Sequence, residues 1–369
     1  MKLYENLTEL RDLLKSESVS SVAFQGLDLT TIEREMLAID WQDCLFLGCK
    51  MSPSLMLHLY EHNHIFPSLD VPYKTYPQSL YTGLSLYEGY DRYNPDSYAA
   101  CYDKAVYDYY IASTKRQSLL DSLSQTLHDH SISENLSKLL ASYPPHQVVA
   151  IMGGHGLSRT SPMFRQIAQL SSLLTERGYL MLSGGGPGAM EATHLGAWMA
   201  GRSPEALDEA LAILSVAPKY DDEHWLKTAF EVMERFPRLG YDSLGIPTWH
   251  YGHELATPFA TQIAKYFANS IREEGLLAVA RGGVIYSPGS AGTMQEIFQD
   301  LAQNHYISYG IASPMIFLDK AYWTENKPIY PLIEELSTSG KLNHIILSIT
   351  DDNEEVIAEL ERFAQSCVV

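Results

Sequence analysis

The chain has 369 residues, enough for two domains, and its 46% hydrophobic and 19% charged content describes a globular protein with a substantial core. A formal net charge of −19 argues against a nucleic-acid or anionic-membrane surface, which would need a basic face. A small anionic ligand is not excluded, because it needs only local donors.

Met1 to Asn6 carry no cleavable apolar core, and no window approaches the roughly 18–20 apolar residues of a membrane span. Cys44, Cys49, Cys101 and Cys367 have no CxxC spacing, so neither a zinc site nor a disulfide framework is expected. The expectation is a cytoplasmic protein without a bound metal.

Residues 1–143 read as a mainly helical domain with a little strand. Phe24-Gln25-Gly26 and Phe46-Leu47-Gly48 resemble one another, but two copies are too few to predict a repeat protein. Ser52-Pro53 pairs an N-cap with a first-turn proline and predicts a short helix through His62. A proline-punctuated stretch from Phe66 to Pro77 runs into a tyrosine-rich zone, Tyr73 to Tyr110. Its tyrosines are interleaved with Asp and Glu, which predicts packing or a subunit contact and not base stacking. Helices over about 113–128 and 133–142 lead to the Pro144-Pro145 break, where the domain boundary is expected.

Residues 144–369 read as an α/β domain, a Rossmann-like open parallel sheet flanked by helices. Val148 to Met152 is a buried strand that ends in Gly153-Gly154-His155-Gly156. Ser161-Pro162 caps a helix whose Phe164, Ile167, Leu170, Leu173 and Leu174 follow the 3.6 period. Tyr179 to Ser183 is a second strand, stopped by the glycine loop 184–188, with a helix from Ala189. Leu211 to Pro218 reads as a third strand, followed by an insertion over about 219–254 in which Trp249, His250 and His253 suggest a lid. Thr257-Pro258 begins a predicted helix bearing Lys265, Asn269, Arg272 and Glu273. Val284 to Tyr286 is the next strand. It stops at Pro288-Gly289, and Gly292-Thr293 open a helix. Strands at Pro314 to Asp319 and Ile345 to Thr350 and a helix over 353–365 complete the pattern.

Strands alternating with helices imply a parallel sheet with right-handed crossovers and a ligand beyond its carboxyl edge. The glycine loops 153–156, 184–188 and 289–292 all fall at that edge and are expected to converge. A small-residue loop feeding a helix offers unpaired N–H groups and the positive end of a dipole, which is an anion site. A dinucleotide is not supported, since residues 184–191 complete no GxGxxG and no acid closes the next strand. A Walker A loop is absent. One phosphate, and so a mononucleotide, fits best.

Gly184-Gly-Gly-Pro-Gly-Ala-Met-Glu191 together with Pro288-Gly-Ser-Ala-Gly-Thr-Met-Gln-Glu296 resembles the LOG (Lonely Guy) family of nucleoside 5′-monophosphate phosphoribohydrolases. The likeness covers roughly residues 146–369 and points to a larger member with an extra N-terminal region. It implies hydrolysis of an N-glycosidic bond to free base and ribose 5-phosphate, no cofactor, and a homodimer or higher oligomer. Ser290 stands where the family motif has its second glycine, a poor choice if the backbone there is left-handed.

On this reading Arg272 and Glu296 are catalytic, the arginine on phosphate or leaving base and the carboxylate against positive charge on the sugar. Gly289, Ser290, Gly292 and Thr293 form the phosphate cradle, and Gly185, Gly186 and Gly188 let the backbone approach the ligand. Met190, Asn269 and Asp300 are further candidates, Met190 as a wall of the base pocket and Asp300 as a support for Glu296 or Arg272. Thr293 to Glu296 also fits a capping box, in which the glutamate only bonds back to the helix start. The alternative function is a nucleotide-binding or sensing protein that keeps the cradle without turnover.

Overall fold

The computed structural model describes residues 1–116, 118–252 and 255–367. They form two compact units, residues 1–80 with 108–135, and residues 81–107 with 136–369. The expected boundary at 143/144 therefore falls elsewhere: residues 81–107 group with the second unit although they precede the helical stretch of the first. Among the described residues no helix is long and apolar enough to cross a membrane.

The first unit holds six short strands: β1 (Lys2–Tyr4), β2 (Ser18–Ser20), β3 (Val22–Gln25), β4 (Asp40–Gln42), β5 (Leu45–Leu47) and β6 (His64–Phe66). β1-β3-β5-β6 form one parallel sheet and β2-β4 another. The register pairs Lys2 with Val22, Ala23 with Leu45 and Leu45 with His64, so the chain returns after 20, 22 and 19 residues (22−2, 45−23, 64−45). Each return lays one rung on the last, the geometry of a short solenoid. Tyr4, Phe24 and Phe46 stack up its core, with ring centroids 5.8 and 4.9 Å apart. The two aromatic-x-Gly segments are thus neighbouring rungs. Gly26 and Gly48 take φ +67 and +58 to turn each corner. The outer rungs at Tyr4 and Ile65 lack that glycine, which hid the repeat.

Helices also populate this region as expected. Ser52 caps Pro53–Tyr60 by accepting from Leu55 N at 3.1 Å. The two later helices run over Tyr102–Arg116 and Leu119–Leu140, so the expected helix over 113–128 straddles the break between them and the one over 133–142 is the end of the second. Within the first unit the tyrosines pack: Tyr73 Oη lies 2.6 Å from Ser124 Oγ, and Tyr109 Oη donates to Asp121 at 2.6 Å.

The second unit is an α/β domain with a Rossmann-like sheet. Its strands are β7 (Val148–Met152), β8 (Leu180–Ser183), β9 (Ser243–Gly245), β10 (Gln262–Ile263), β11 (Gly283–Tyr286), β12 (Pro314–Leu318) and β13 (Ile346–Thr350). They lie in the order β10-β9-β8-β7-β11-β12-β13, every pair parallel. β7, β8, β11 and β12 are buried along their whole length, as a sheet covered on both faces requires. Chain order reverses between β7 and β11, so the crevice for a ligand opens beyond their carboxyl ends.

Two elements differ from expectation. Residues 211–218 are not a strand, because Leu211 to Leu214 close the helix Pro204–Leu214 and 215–218 turn out of it. Ser203 caps it, Pro204 opens it, and Leu207, Ala210, Leu211 and Leu214 bury one face at helical spacing. The third strand is β9, inside the expected insertion, which also carries the helix Trp225–Arg235. No helix starts at Thr257-Pro258. Thr257 N donates to Gly185 O at 2.8 Å, and the chain runs extended through β10 before the helix Asn269–Ala278.

Candidate active site

Three glycine loops meet at the carboxyl edge. Gly154 N donates to Pro288 O at 3.0 Å, and Ala189 N donates to Gly154 O at 3.2 Å. A Cβ at Gly188 would lie 2.4 Å from Gly154 O and 2.5 Å from His155 O, so the first two loops touch through bare backbone. Gly188 also needs φ +69, a conformation that only glycine adopts freely.

The cavity of about 390 Å³ at this junction is lined by Gly153, Gly154, His155, Met190, Tyr251, Arg272, Glu273, Ser290 to Thr293, Gln295 and Glu296. Arg272 and Glu296, expected on different helices, thus reach one cavity, with Ser290, Gly292, Thr293 and Met190 on the same wall.

The helix Ala291–Tyr306 explains the chemistry of that wall. Its N-cap is Ser290, whose side chain makes no capping bond. The N–H groups of Ser290, Ala291, Gly292 and Thr293 have no acceptor among the described residues. Nothing lies within 4 Å of a Cβ placed on Gly292, so the turn is open toward the cavity. Because the helix begins at 291, Glu296 sits in its second turn and cannot be the N3 partner of a capping box. Ser290 has φ −113 and ψ −143, so it does not take the left-handed backbone that would favour glycine. The departure from glycine at this position therefore carries no left-handed strain.

Arg272 is only 8% exposed. Its Nε donates to Ile246 O at 2.9 Å, and Nη1 pairs with Glu273 at 2.8 Å. A Cβ on Gly184 would fall 2.4 Å from Nη2 and 2.7 Å from Met190 Sδ, so that glycine makes room for both side chains.

Other expected residues lie elsewhere. Gly185, Gly186 and Gly188 form a buried turn behind the cavity wall and do not contribute to it. Gly289 is also off the wall: a Cβ there would lie 2.1 Å from Thr293 Oγ1, so its bareness seats the threonine. Asn269 reaches the cavity only through Tyr251, whose hydroxyl accepts from Nδ2 at 3.2 Å, and its Oδ1 is buried without a partner. Asp300 supports neither Glu296 nor Arg272. Its carboxylate accepts from Tyr286 at 2.6 Å, Gln303 at 2.8 Å and Asn304 at 3.2 Å in the core, where burial lifts its pKa to about 7. Trp249 is no lid. It is buried against Phe267 and donates to Asp103 at 3.0 Å, which also pairs with Lys265 at 2.5 Å. His250 is exposed, and His253 lies outside the described residues.

Sequence reasoning missed Glu273 as a cavity residue, and Tyr251 and Gln295 altogether. It also missed Tyr322 and Lys327, whose hydroxyl and ammonium both donate to Gly289 O, the lysine at 2.8 Å. No local signal marks either one, since they lie 33 and 38 residues beyond the loop they touch.

No protein-family model matches the chain, and no curated protein matches it. Similar solved structures include the molybdenum cofactor binding protein from the phototrophic bacterium Rippkaea orientalis, 17% identical over 60% of this chain and 97% of that one, with a TM-score of 0.36. The Moco carrier protein of Chlamydomonas rheinhardtii is 13% identical over 59% of this chain and 97% of its own, with a TM-score of 0.35. The protein TM1055 is 20% identical over 58% and 98%, with a TM-score of 0.37. Overlaps this loose carry no argument about what the chain does.

Proposed function

We propose that the second unit hydrolyses the N-glycosidic bond of a nucleoside 5′-monophosphate, releasing the base and ribose 5-phosphate. The observation that carries this reading is the row of four unpaired N–H groups, Ser290 to Thr293, on a cavity that also holds Arg272 and Glu296. The phosphate sits on that row and on the dipole of the helix behind it. The sugar then lies toward Glu296, whose carboxylate stabilises the positive charge that develops at C1′ as the base departs and orients the attacking water. Met190 walls the base.

A second reading, nucleotide binding without turnover, is favoured by one observation. Arg272 already gives Nε to Ile246 O and Nη1 to Glu273, so much of its fork serves the fold. Incubation with AMP, GMP, CMP and UMP followed by chromatography separates the two. Turnover requires free base from wild type and its loss in Glu296→Gln; AMP binding with no base released leaves the sensing reading standing. We also propose that the chain acts as a homodimer in the cytoplasm. Exposed Ile271 (45%) and Phe298 (44%), on the two helices that carry Arg272 and Glu296, support an apolar contact there, and sedimentation velocity tests it.

A further inference from the structure

Adjoining the anion cradle is a smaller cavity of about 350 Å³, lined in part by Gly154, Gly289, Ser290, Tyr322 and Lys327 and not by Arg272. Tyr322 and Lys327 bracket a single π-helical turn, Tyr322–Asn326, closed by Lys327 N donating to Tyr322 O at 2.7 Å. Such a turn brings residues five apart onto one side. The turn is anchored from below by Trp323, fully buried, whose Nε1 donates to Tyr286 O at 3.0 Å and Leu318 O at 3.1 Å. Tyr322 and Lys327 are therefore held in place by the sheet and both spend a donor on the same acceptor, Gly289 O.

The lysine is the unusual partner. In a chain of net charge −19, no carboxylate of a described residue lies within ion-pair distance of its ammonium, which instead meets a carbonyl and, at 5.6 Å, the Tyr322 ring. With no carboxylate beside it, the field of the ammonium at the loop is not offset by a counter-ion.

We infer that Tyr322 and Lys327 are positioning residues that aim and polarise the phosphate cradle through the Gly289 carbonyl; the inference rests on the proposed nucleotide site. The Gly289–Ser290 peptide is trans and planar, so its C=O and N–H point in opposite directions. With the carbonyl held toward Tyr322 and Lys327, the Ser290 N–H is directed to the far side, where Ala291, Gly292 and Thr293 line the larger cavity. Two donors on the carbonyl, one charged, draw electron density toward oxygen and make that N–H a stronger donor. The neighbouring peptide is fixed as well, because Pro288 O accepts from Gly154 N. The cradle thus arrives preorganised for an oxyanion, and neither side chain touches the ligand.

The test is calorimetric titration of the full chain with AMP and with adenosine, which lacks the phosphate. Tyr322→Phe removes one donor without changing charge and should weaken AMP about threefold, while Lys327→Met should weaken it about tenfold, the scale of a lost hydrogen bond. Adenosine affinity and melting temperature should hold in Tyr322→Phe, and Lys327→Arg should restore most of the AMP affinity. Unchanged AMP binding in Tyr322→Phe overturns the inference, since one of the two donors on the Gly289 carbonyl then has no effect on the cradle. Equal weakening of adenosine and AMP overturns it too, since the effect is then on the fold. If wild type does not bind AMP at all, the proposed function fails first and takes this inference with it.

Discussion

Asp300 gives the sharpest test of the division between core and site. It is fully buried, and burial raises its pKa from 3.8 to about 7 against three hydrogen bonds that pull the other way. The folded state therefore holds a proton that the unfolded chain releases near pH 4, so stability attributable to this group falls as pH rises from 3.8 to about 7. Between pH 5 and 8 the loss is roughly 2–3 kcal/mol. His194 runs the opposite way. Burial between Ser183 and Ser243 lowers its pKa to about 3, so it contributes stability that is complete above pH 6.5 and lost as pH falls below it, roughly 2 kcal/mol of it gone by pH 5. The two nearly cancel in wild type, and only the variant exposes either. Asp300→Asn keeps the acceptor for Gln303 and Asn304 but cannot ionise, so relative to wild type it should gain roughly 2–3 kcal/mol between pH 5 and pH 8. Urea unfolding followed by tryptophan fluorescence reads this, because Trp198, Trp225, Trp249 and Trp323 all belong to the second unit. Base release, if present, should survive the substitution. Parallel pH profiles for wild type and variant would refute the argument, and loss of turnover with an intact fold would return Asp300 to the active site.

His194→Gln removes the contribution that offsets Asp300, so relative to wild type it should gain roughly 2 kcal/mol between pH 6.5 and pH 5; no relative gain below pH 6 counts against a neutral buried imidazole. Gly188→Ala combines a positive φ with a backbone clash and should cost about 3 kcal/mol or more, seen as a large drop in melting temperature or loss of soluble protein. Gly292→Ala sits in the first helical turn with open space around its Cβ, so it should hold or raise stability by about 0.5–1 kcal/mol while weakening AMP. Tighter AMP binding in that variant would place the phosphate elsewhere. Arg272→Lys should lose stability as well as affinity, because one ammonium nitrogen replaces the fork whose Nε and Nη1 reach Ile246 O and Glu273 separately; a fully stable variant would show that those bonds contribute little.

The sheet was legible because its signals are local. β7, β8, β11, β12 and β13 are short apolar runs stopped by glycine or polar residues, and two of the helices between them open with Ser-Pro or Ala after a glycine turn. Where the prediction failed, composition alone was ambiguous. Leu211 to Ala217 is apolar enough for a strand, but the helix-opening Ser203-Pro204 lies eight residues earlier and fixes the period first. β9 and β10 have only three and two residues and take their identity from the strands beside them, which no window of sequence contains. The solenoid rungs fail for a related reason: each is three or four residues long and is stabilised by the ring above it.

The site divides along the same line. A helix N-terminus after a glycine loop can be read from sequence, because both donor row and dipole are properties of one segment. What glycine does at each position cannot. Gly292 faces open space, Gly289 seats Thr293, Gly184 admits Arg272 and Met190, and Gly188 lies against the carbonyls of Gly154 and His155, so four identical letters serve one surface and three contacts. A motif that puts Gly188, Gly289 and Gly292 alike against the ligand records spacing and not direction. The same limit hid Tyr322 and Lys327. Their contribution passes through a peptide plane to an N–H on its other side, so it appears only once the carbonyl they hold has been located in space.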